Sequence, residues 1–242
     1  RRQRQMCIRD SIEYVMSEHP MGPFSQPGLI LPNPPINDGF NNHHSIFQFK
    51  GEYYIAYHNR EVAYVKGEAD KRSREYMRSV CLDHLIHNED GTIRTVSITR
   101  AGLPQLKYIN PYKRNEAETM AKGWGINTKA RKGDPGNRIV SSANDGDYIK
   151  VQGVDFTKEG LSKLKALISC GAPEGGNIEI RLESENGLLI GTLNVVPTGD
   201  WDSWKTITTD VAIPNTGVFD LYFVFKGNKE DFAHIDYWEF TH

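Results

Sequence analysis

The sequence predicts an all-β fold in two parts. Three features support this prediction: apolar residues that alternate with polar ones, turn signals rich in glycine, proline and asparagine, and no long run with helical periodicity. In the stretch GVFDLYFVF, the apolar residues of one face are Phe219, Leu221, Phe223 and Phe225. Such period-2 patterning between turns is typical of antiparallel sheets that pack as a sandwich.

The first part reads as a series of hairpins. SIEYVMSE and GLILPN are predicted strands separated by the turn HPMGPF, and a loop rich in proline and asparagine follows them. HSIFQFK and YYIAYHN flank a Gly-Glu pair, which indicates a tight hairpin. RSVCLDHLIH and TIRTVSITR, joined by NEDG, are predicted to form a second hairpin. Short antiparallel hairpins in series fit either a sandwich or the blades of a propeller.

The predicted domains are residues 12–107 and 112–242. A linker is placed at 108–111, because AGLPQLKYINPYKRN contains two prolines and has no clear period. Residues 1–11 do not begin with Met and lack the apolar core of a signal peptide. We therefore predict that they are a non-native or disordered leader, and that the chain is the C-terminal part of something longer.

Composition excludes several classes of protein. The formal net charge of -2 offers no electrostatic footprint for nucleic acid. No apolar run approaches the roughly 20 residues that span a bilayer. The three cysteines are widely spaced, which suggests neither a disulfide framework nor a zinc site. Aromatic residues make up 10% of the chain, which suits carbohydrate recognition but also suits any β-rich core.

Two groups of motifs carry a family resemblance. IEYVMSEHPMGPF, GLIL, NNHHSIFQFKGEYYIAYHNR and MRSVCLDHLIHNEDGTI together resemble the last part of a glycoside hydrolase family 43 catalytic domain, a five-bladed β-propeller. NEAET, NDGDYIKV, GGNIEIRLES, WDSWKTI and HIDYWEF resemble a carbohydrate-binding module of family 6, a β-sandwich. The resemblance implies a partial β-propeller, made of its last blades, followed by an antiparallel β-sandwich of the jelly-roll type.

The first resemblance implies inverting hydrolysis of arabinose- or xylose-containing plant polysaccharides. That reaction needs an acid and a base carboxyl group roughly 6.5–9.5 Å apart, so that a water fits. A further Asp tunes the acid. In the family all three residues precede the matched segment, and no Asp or Glu between Ile12 and Lys107 matches them. This chain alone is therefore predicted to be inactive.

Two residues of the first part match positions near the family's active site. His43 matches a histidine near the propeller axis that can hold a central ion or water, and His44 is the weaker candidate. Arg78 matches a last-blade arginine that contacts the sugar, a role that suits the fixed donor fork of a guanidinium. Without the resemblance, the histidine pair is loop polarity and Arg78 is a surface arginine beside a basic loop.

In the second part, Glu116, Glu118 and Asp236 match the ligands of the family's structural calcium ion. Carboxylate oxygens suit this hard cation, and the alternate spacing puts both glutamates on one side of a strand. Without the resemblance, the two glutamates are solvated charge.

Sugar binding in such modules stacks aromatic rings on sugar faces. The residues that match this role, or are candidates for it, are Trp201, Trp204, His234 and Tyr148. Trp204 has an alternative place in the strand core, and Tyr148, like Trp124, is also a candidate core residue. Two departures fall in the binding cleft: Ser142 stands where the family often has Tyr, and His234 where it often has Asn.

These observations predict a fragment of a hydrolase of arabinofuranosidase or xylosidase type that degrades arabinoxylan or arabinan. Its expected partner is plant cell-wall polysaccharide, its expected cofactor a structural Ca²⁺, and its expected location extracellular or periplasmic. The alternative is a stand-alone carbohydrate-binding or scaffold protein without catalysis.

Overall fold

The computed structural model describes residues 11–32, 43–60, 78–100, 102–227 and 230–241. The chain divides between Pro104 and Gln105 into two compact units. Nearly all of the predicted leader lies outside the described residues, as do most of the proline-rich loop and the charged segment 61–77. Every regular element in the described part is a strand, and none of that part forms a helix long and apolar enough to cross a lipid bilayer.

The first unit contains two small antiparallel sheets. Its strands are β1 (Ile12–Met16), β2 (Ser25–Leu31), β3 (His44–Phe49), β4 (Glu52–Asn59) and β5 (Ser79–His84). β1 pairs with β2, and β3, β4 and β5 form a three-stranded sheet in that order. The turn between β3 and β4 is Lys50–Gly51, with φ angles of 50° and 88°. Positive φ at both positions matches the tight hairpin that the sequence predicts, one residue earlier than the Gly-Glu pair.

The core of the first unit is apolar and joins its two sheets. Ile12, Ile30 and Leu31 from β1 and β2 pack with Ile55 and Tyr57 of β4. Ile55 and Tyr57 are two positions apart, so that one face of β4 lies against the β1–β2 hairpin.

The segment 92–100, which was expected to be a strand, is not one, and this prediction is wrong. Side chains bind several of its backbone groups. The Tyr14 hydroxyl accepts a hydrogen bond from the Ile93 N–H at 2.8 Å. The buried Asp83 carboxylate accepts from the Thr99 N–H at 3.3 Å and from its hydroxyl at 2.6 Å. These side-chain partners replace the continuous ladder that a regular strand would require.

The second unit is a β-sandwich. Its strands are β6 (Asn115–Glu116), β7 (Lys122–Trp124), β8 (Asn127–Arg131), β9 (Asp134–Ser141), β10 (Tyr148–Phe156), β11 (Gly160–Ser169), β12 (Gly176–Leu182), β13 (Leu188–Val195), β14 (Lys205–Ile213), β15 (Gly217–Lys226) and β16 (His234–Thr241). One layer has the order β7-β10-β15-β12-β13, and the other has the order β14-β11-β16-β9-β8 with β6 also on β16.

The two layers are continuous at one point, where Gly191 of β13 pairs with Val211 of β14. A Cβ atom at Gly191 would lie 2.5 Å from the Val211 side chain. Glycine is therefore required there by the close approach of the two strands. Between the layers, Phe223 of β15 packs on Trp238 of β16, with ring centres 5.5 Å apart.

The predicted linker at 108–111 lies within the second unit. The Ile109 N–H donates to the Gly153 carbonyl oxygen at 2.9 Å, and the Phe240 N–H donates to the Pro111 carbonyl oxygen at 2.8 Å. Ile109 also packs against the sandwich core. These contacts attach the segment to the sandwich along its length.

Truncation of Phe223 tests the core of the second unit. Phe223 is 1% exposed, so Phe223→Ala should lower the free energy of unfolding by about 3–5 kcal/mol through lost burial and the cavity left behind. Val218→Ala, on the same strand but 42% exposed, should change it by less than about 0.5 kcal/mol. All four tryptophans lie in this unit, so denaturation followed by tryptophan fluorescence reports on it. Equal effects of the two variants would contradict the packing.

Candidate functional site

The loop between β13 and β14 carries Trp201 and is tied to the end of β11. The Thr198 N–H donates to the Cys170 carbonyl oxygen at 2.8 Å, and the Cys170 N–H donates to the Thr198 hydroxyl at 2.9 Å. The Ser169 hydroxyl donates to the Trp201 carbonyl oxygen at 3.0 Å. Backbone and side-chain bonds thus fix the loop before any ligand arrives.

The indole of Trp201 lies flat on a floor made by two neighbouring strands. Its ring centre is 4.2 Å from that of His234, with 29° between the planes. A Cβ atom at Gly171 would come within 2.7 Å of three indole atoms. Ser169 pairs with His234 across β11 and β16, and Gly171 follows two residues later. The indole therefore contacts β16 through His234 and the segment just past the end of β11 through Gly171.

His234 is buried beneath the indole and joins two charged side chains. Its Nε2 atom lies 3.0 Å from an Asp231 carboxylate oxygen and 3.3 Å from the Lys129 ammonium. The Nδ1 atom is buried and has no hydrogen-bond partner in the described part of the chain.

Ser142 reaches the same site through Asp231. The Ala143 N–H donates to the other Asp231 oxygen at 3.1 Å, which brings the loop after β9 beside His234. The Asn127 amide donates to the Ser142 hydroxyl at 3.3 Å. Ser142 has a φ of 60°. It therefore brings a hydroxyl, and no aromatic ring, to the side of the site where the resemblance led us to expect a tyrosine.

Charged groups surround the Trp201 loop. The Lys132 ammonium pairs with the Asp202 carboxylate at 2.5 Å. Hydrogen bonds from the Asp202 N–H and the Ser203 hydroxyl, at 2.7 and 3.0 Å, lower the pKa of Asp200. The rim of the site therefore carries carboxylates, which accept hydrogen bonds, and ammonium groups, which donate them. Both can bind hydroxyl groups.

Trp204 belongs to a second network, next to the first on β16. The Arg131 guanidinium lies over its indole, 4.7 Å from the ring centre. The same arginine donates from Nη1 to the buried Asp236 carboxylate at 2.7 Å, and the Asn137 amide donates to the other Asp236 oxygen at 2.8 Å. One face of Trp204 is therefore covered by a cation.

Two of the three carboxylates expected to bind calcium, Glu116 and Asp236, are held by other groups. Both oxygens of Glu116 accept from the Arg114 guanidinium, at 2.7 and 3.0 Å. One Glu118 oxygen is buried without a partner among the described residues, and burial, aided by the neighbouring carboxylates, raises the pKa of Glu118. Within the described ranges, no three acidic, histidine or cysteine side chains are grouped to hold a metal. The arrangement does not fit calcium, so calcium binding stays a prediction from the resemblance.

Tyr148 lies on the outer face of the other layer, away from Trp201. Its neighbour Ile149 points into the main core, whereas Tyr148 joins a separate cluster with Tyr222. The Trp124 and Tyr148 rings are parallel, with 4° between their planes and 6.3 Å between their centres. The Lys122 ammonium lies 5.5 Å from the Tyr148 ring centre. Tyr148 is 7% exposed, so most of its ring is covered.

In the first unit, His43 and Arg78 lie at the same end of the three-stranded sheet. His43 precedes β3 and Arg78 precedes β5, and the antiparallel strand β4 ends between them. The rings of His43 and His58 are 5.9 Å apart. Arg60, just past the end of β4, is 2% exposed. The sheet thus brings the two predicted residues to one end and adds His58 and Arg60 from YHNR.

Sequence reasoning missed three members of the Trp201 site. Gly171 has a faint signal, because it follows directly on a predicted strand. Lys129 and Asp231 have none, since both meet His234 through the pairing of distant strands. The contact between Lys129 and His234 spans 105 positions of the chain.

The fold and the Trp201 floor define the second unit as a carbohydrate-binding β-sandwich. The family described as "Carbohydrate binding module (family 6)" matches residues 116–242. This match covers more than half of the chain, and the chain belongs to that family.

Relatives extend the similarity to the first unit. An arabinoxylan arabinofuranohydrolase of Paenibacillus polymyxa is 39% identical over 95% of this chain and 36% of its own length. The crystal structure of a glycoside hydrolase family 43 arabinoxylan arabinofuranohydrolase from Bacillus subtilis, in complex with cellotetraose, is 40% identical with a TM-score of 0.79. The match covers 96% of this chain and 47% of that one. The chain therefore spans less than half of each relative.

A module alone gives the same fold for the second unit. The β-1,3-glucan-binding family 6 module from Bacillus halodurans is 36% identical with a TM-score of 0.53, and the match covers 56% of this chain and all of that module. The all-β prediction, with propeller blades followed by a sandwich, is confirmed by these matches.

The close contact between Gly171 and the Trp201 indole can be tested by adding one methyl group at position 171. Gly171→Ala should push the Trp201 indole away from His234, because the new Cβ would lie 2.7 Å from the ring. We expect stronger quenching of tryptophan fluorescence by acrylamide and a loss of about 0.5–1.5 kcal/mol of stability from the broken ring contact. Gly136→Ala is the control, since the nearest atom to its Cβ would be 3.9 Å away. Unchanged quenching in Gly171→Ala would contradict the described contact.

Proposed function

We propose that the second unit binds plant cell-wall polysaccharide, of the xylan, arabinoxylan or arabinan class, by stacking a sugar ring on Trp201. The observation that carries this proposal is the half-buried indole of Trp201, which Gly171 and His234 hold in place. A flat, prepositioned aromatic face suits the apolar face of a sugar ring, and little side-chain order remains to be gained on binding.

The site is one-sided. Ser142 lies where a second ring would complete a sandwich around the sugar, and its hydroxyl accepts from Asn127. A sugar on Trp201 therefore stacks on one ring and meets polar groups elsewhere. Lys129, Asp202 and the Ser142 hydroxyl supply donors and acceptors for sugar hydroxyls. The expected affinity is lower than that of a site with two rings.

The named relatives support this class of ligand. Two of the relatives are enzymes described as arabinoxylan arabinofuranohydrolases, and one of them has been solved with cellotetraose. The Bacillus halodurans module is described as binding β-1,3-glucan. Because the relatives differ in ligand, the preferred sugar and linkage within this class of polysaccharide have to be measured.

Calorimetric titration of the full chain with xylo-, arabino-, cello- and β-1,3-gluco-oligosaccharides tests the proposal. We expect binding to at least one series, weakened by about tenfold or more, or about 1.4 kcal/mol, in Trp201→Ala. Trp124→Ala is the matched control, because it removes a tryptophan from the outer face of the other layer and should leave the affinity unchanged.

Two results would count against this site. Loss of binding in Trp124→Ala with full binding in Trp201→Ala would move the sugar to the Trp124–Tyr148 surface. No heat with any oligosaccharide, from a chain whose tryptophan spectrum shows it folded, would favour the alternative of a scaffold sandwich that binds no sugar.

We propose that the first unit is part of the catalytic domain of a glycoside hydrolase. This enzyme would act on arabinose side chains or xylose units of the same polysaccharides. The resemblance of its motifs and the similarity to family 43 along 96% of the chain support this. Polysaccharide of this size lies outside the cell, so the proposed location is extracellular or periplasmic. His43 and Arg78 are proposed to support the pocket, and a propeller-axis ion at His43 stays a prediction.

The chain itself should release no arabinose or xylose from arabinoxylan. Inverting hydrolysis needs an acid and a base that face the sugar from opposite sides. Asp83, which is buried in the described part of the first unit, is instead bound by the Tyr57 hydroxyl at 2.5 Å and by Thr99. Chromatography of the products measures this, with an intact arabinofuranohydrolase as the positive control. Sugar release that disappears in Asp83→Asn would show that catalytic groups are present after all.

A further inference from the structure

Two arginines take the place of a cation at the junction of β6, β8 and β16. Asp236 is 0% exposed, and a buried carboxylate requires a counter-charge and hydrogen bonds to both oxygens. Arg131 provides the charge at 2.7 Å, and Asn137 provides a donor to the other oxygen at 2.8 Å. Both requirements are met by side chains of this chain.

The first arginine is held from two sides. Its guanidinium lies between the Asp236 carboxylate and the indole of Trp204, whose ring centre is 4.7 Å away. A planar guanidinium can stack on an aromatic face and donate in its plane at the same time, which an ammonium group cannot do. Arg131 is partly buried, and its contacts on two sides give it a defined position.

The second arginine completes the set. Arg114 donates to both Glu116 oxygens, lies 3.8 Å from Asp236, and stacks on Tyr237 with its guanidinium carbon 4.3 Å from the ring centre. Each arginine thus combines one aromatic face with carboxylates. Two of the residues that the sequence assigns to calcium, Glu116 and Asp236, are joined here by cations of the chain itself.

Calcium would have to displace these groups. It takes about six to eight oxygen ligands at about 2.3–2.6 Å. Of the three carboxylates, Asp236 and Glu116 already have both oxygens engaged, which leaves the buried Glu118 oxygen. An ion placed against Asp236 would also bring a divalent charge next to Arg131, at the cost of repulsion between like charges.

We propose that Arg131, supported by Arg114, is the internal counter-ion of Asp236, so that the second unit folds and keeps its stability without calcium. The bond also joins the β8–β9 hairpin to β16, two residues from the His234 floor of the Trp201 site. The role that a bound ion would have in closing these strands is filled by Arg131.

The test uses the full chain after treatment with a chelator. Its melting is followed by tryptophan fluorescence, with excess EDTA and with millimolar CaCl₂. We expect the two melting temperatures to agree within about 1 °C. Terbium, a luminescent substitute for calcium, should show no tryptophan-sensitised emission, although Trp204 is close enough to Asp236 to sensitise a bound ion. A calcium-induced rise on the order of 5 °C, or sensitised terbium emission, would overturn the proposal.

Removing the charge of Arg131 gives a second, independent test. Arg131→Gln should lower the melting temperature, because Asp236 loses its counter-charge, and should make it respond to calcium. Lys163→Gln is the matched control: it removes one positive charge from an exposed pair with Asp210 and should do neither. An Arg131→Gln variant as stable as the parent chain would overturn the proposal. If Arg131→Gln does not fold, calcium titration of the parent chain decides the question.

Discussion

A β-bulge in β16 shifts the alternation of its side chains between the core and the outer face. The packing on both faces of this layer depends on that shift. Ile235 and Trp238 are three positions apart, yet they pair with residues of β11 that are two positions apart. Both side chains therefore reach the core, which strict alternation would forbid. His234 and Asp236, which flank Ile235, are turned to the outer face, where one supports an indole and the other binds a guanidinium. With strict alternation, Ile235 and Trp238 would point to opposite faces of the layer. The bulge lets both reach the core while Asp236 stays on the same face as His234.

Pairing between β11 and β16 fixes the Trp201 surface that is proposed to bind sugar. Trp201 rests on a backbone position with no side chain and on a buried imidazole, and its loop is bonded to the end of β11. Sheet pairing already fixes these parts. Binding of a ligand therefore costs the protein little conformational entropy. The constraint also has a limit. A side chain at position 171 would displace the Trp201 indole, so this position tolerates only glycine as long as the ring stays in place.

The sequence predicted those parts of the fold that follow from local alternation. Phe223 and Tyr222 were assigned to opposite faces from the pattern alone, and they lie in two separate clusters. The order of hairpins and the existence of two units also follow from turn signals. Segment 92–100 has the same alternation but is not a strand, because the Tyr14 hydroxyl and a buried carboxylate bind its backbone. In the site, the matched tryptophan was identified, but its contact with Gly171 was not. Contacts between residues about 30 or 100 positions apart depend on strand register, which no short motif encodes.

A one-sided site has consequences for how such a module works on a polymer. One stacked ring with a polar rim gives modest affinity for a single sugar, since only one face of the ligand loses its hydration. A polysaccharide repeats that sugar many times, so a dissociated module meets another copy before it diffuses away. Anything covalently joined to the module then stays at a high effective concentration near the polymer, set by the length of the connection. Weak, fast binding is the better property in that setting, because it lets the joined unit move along the substrate where tight binding would hold it at one position.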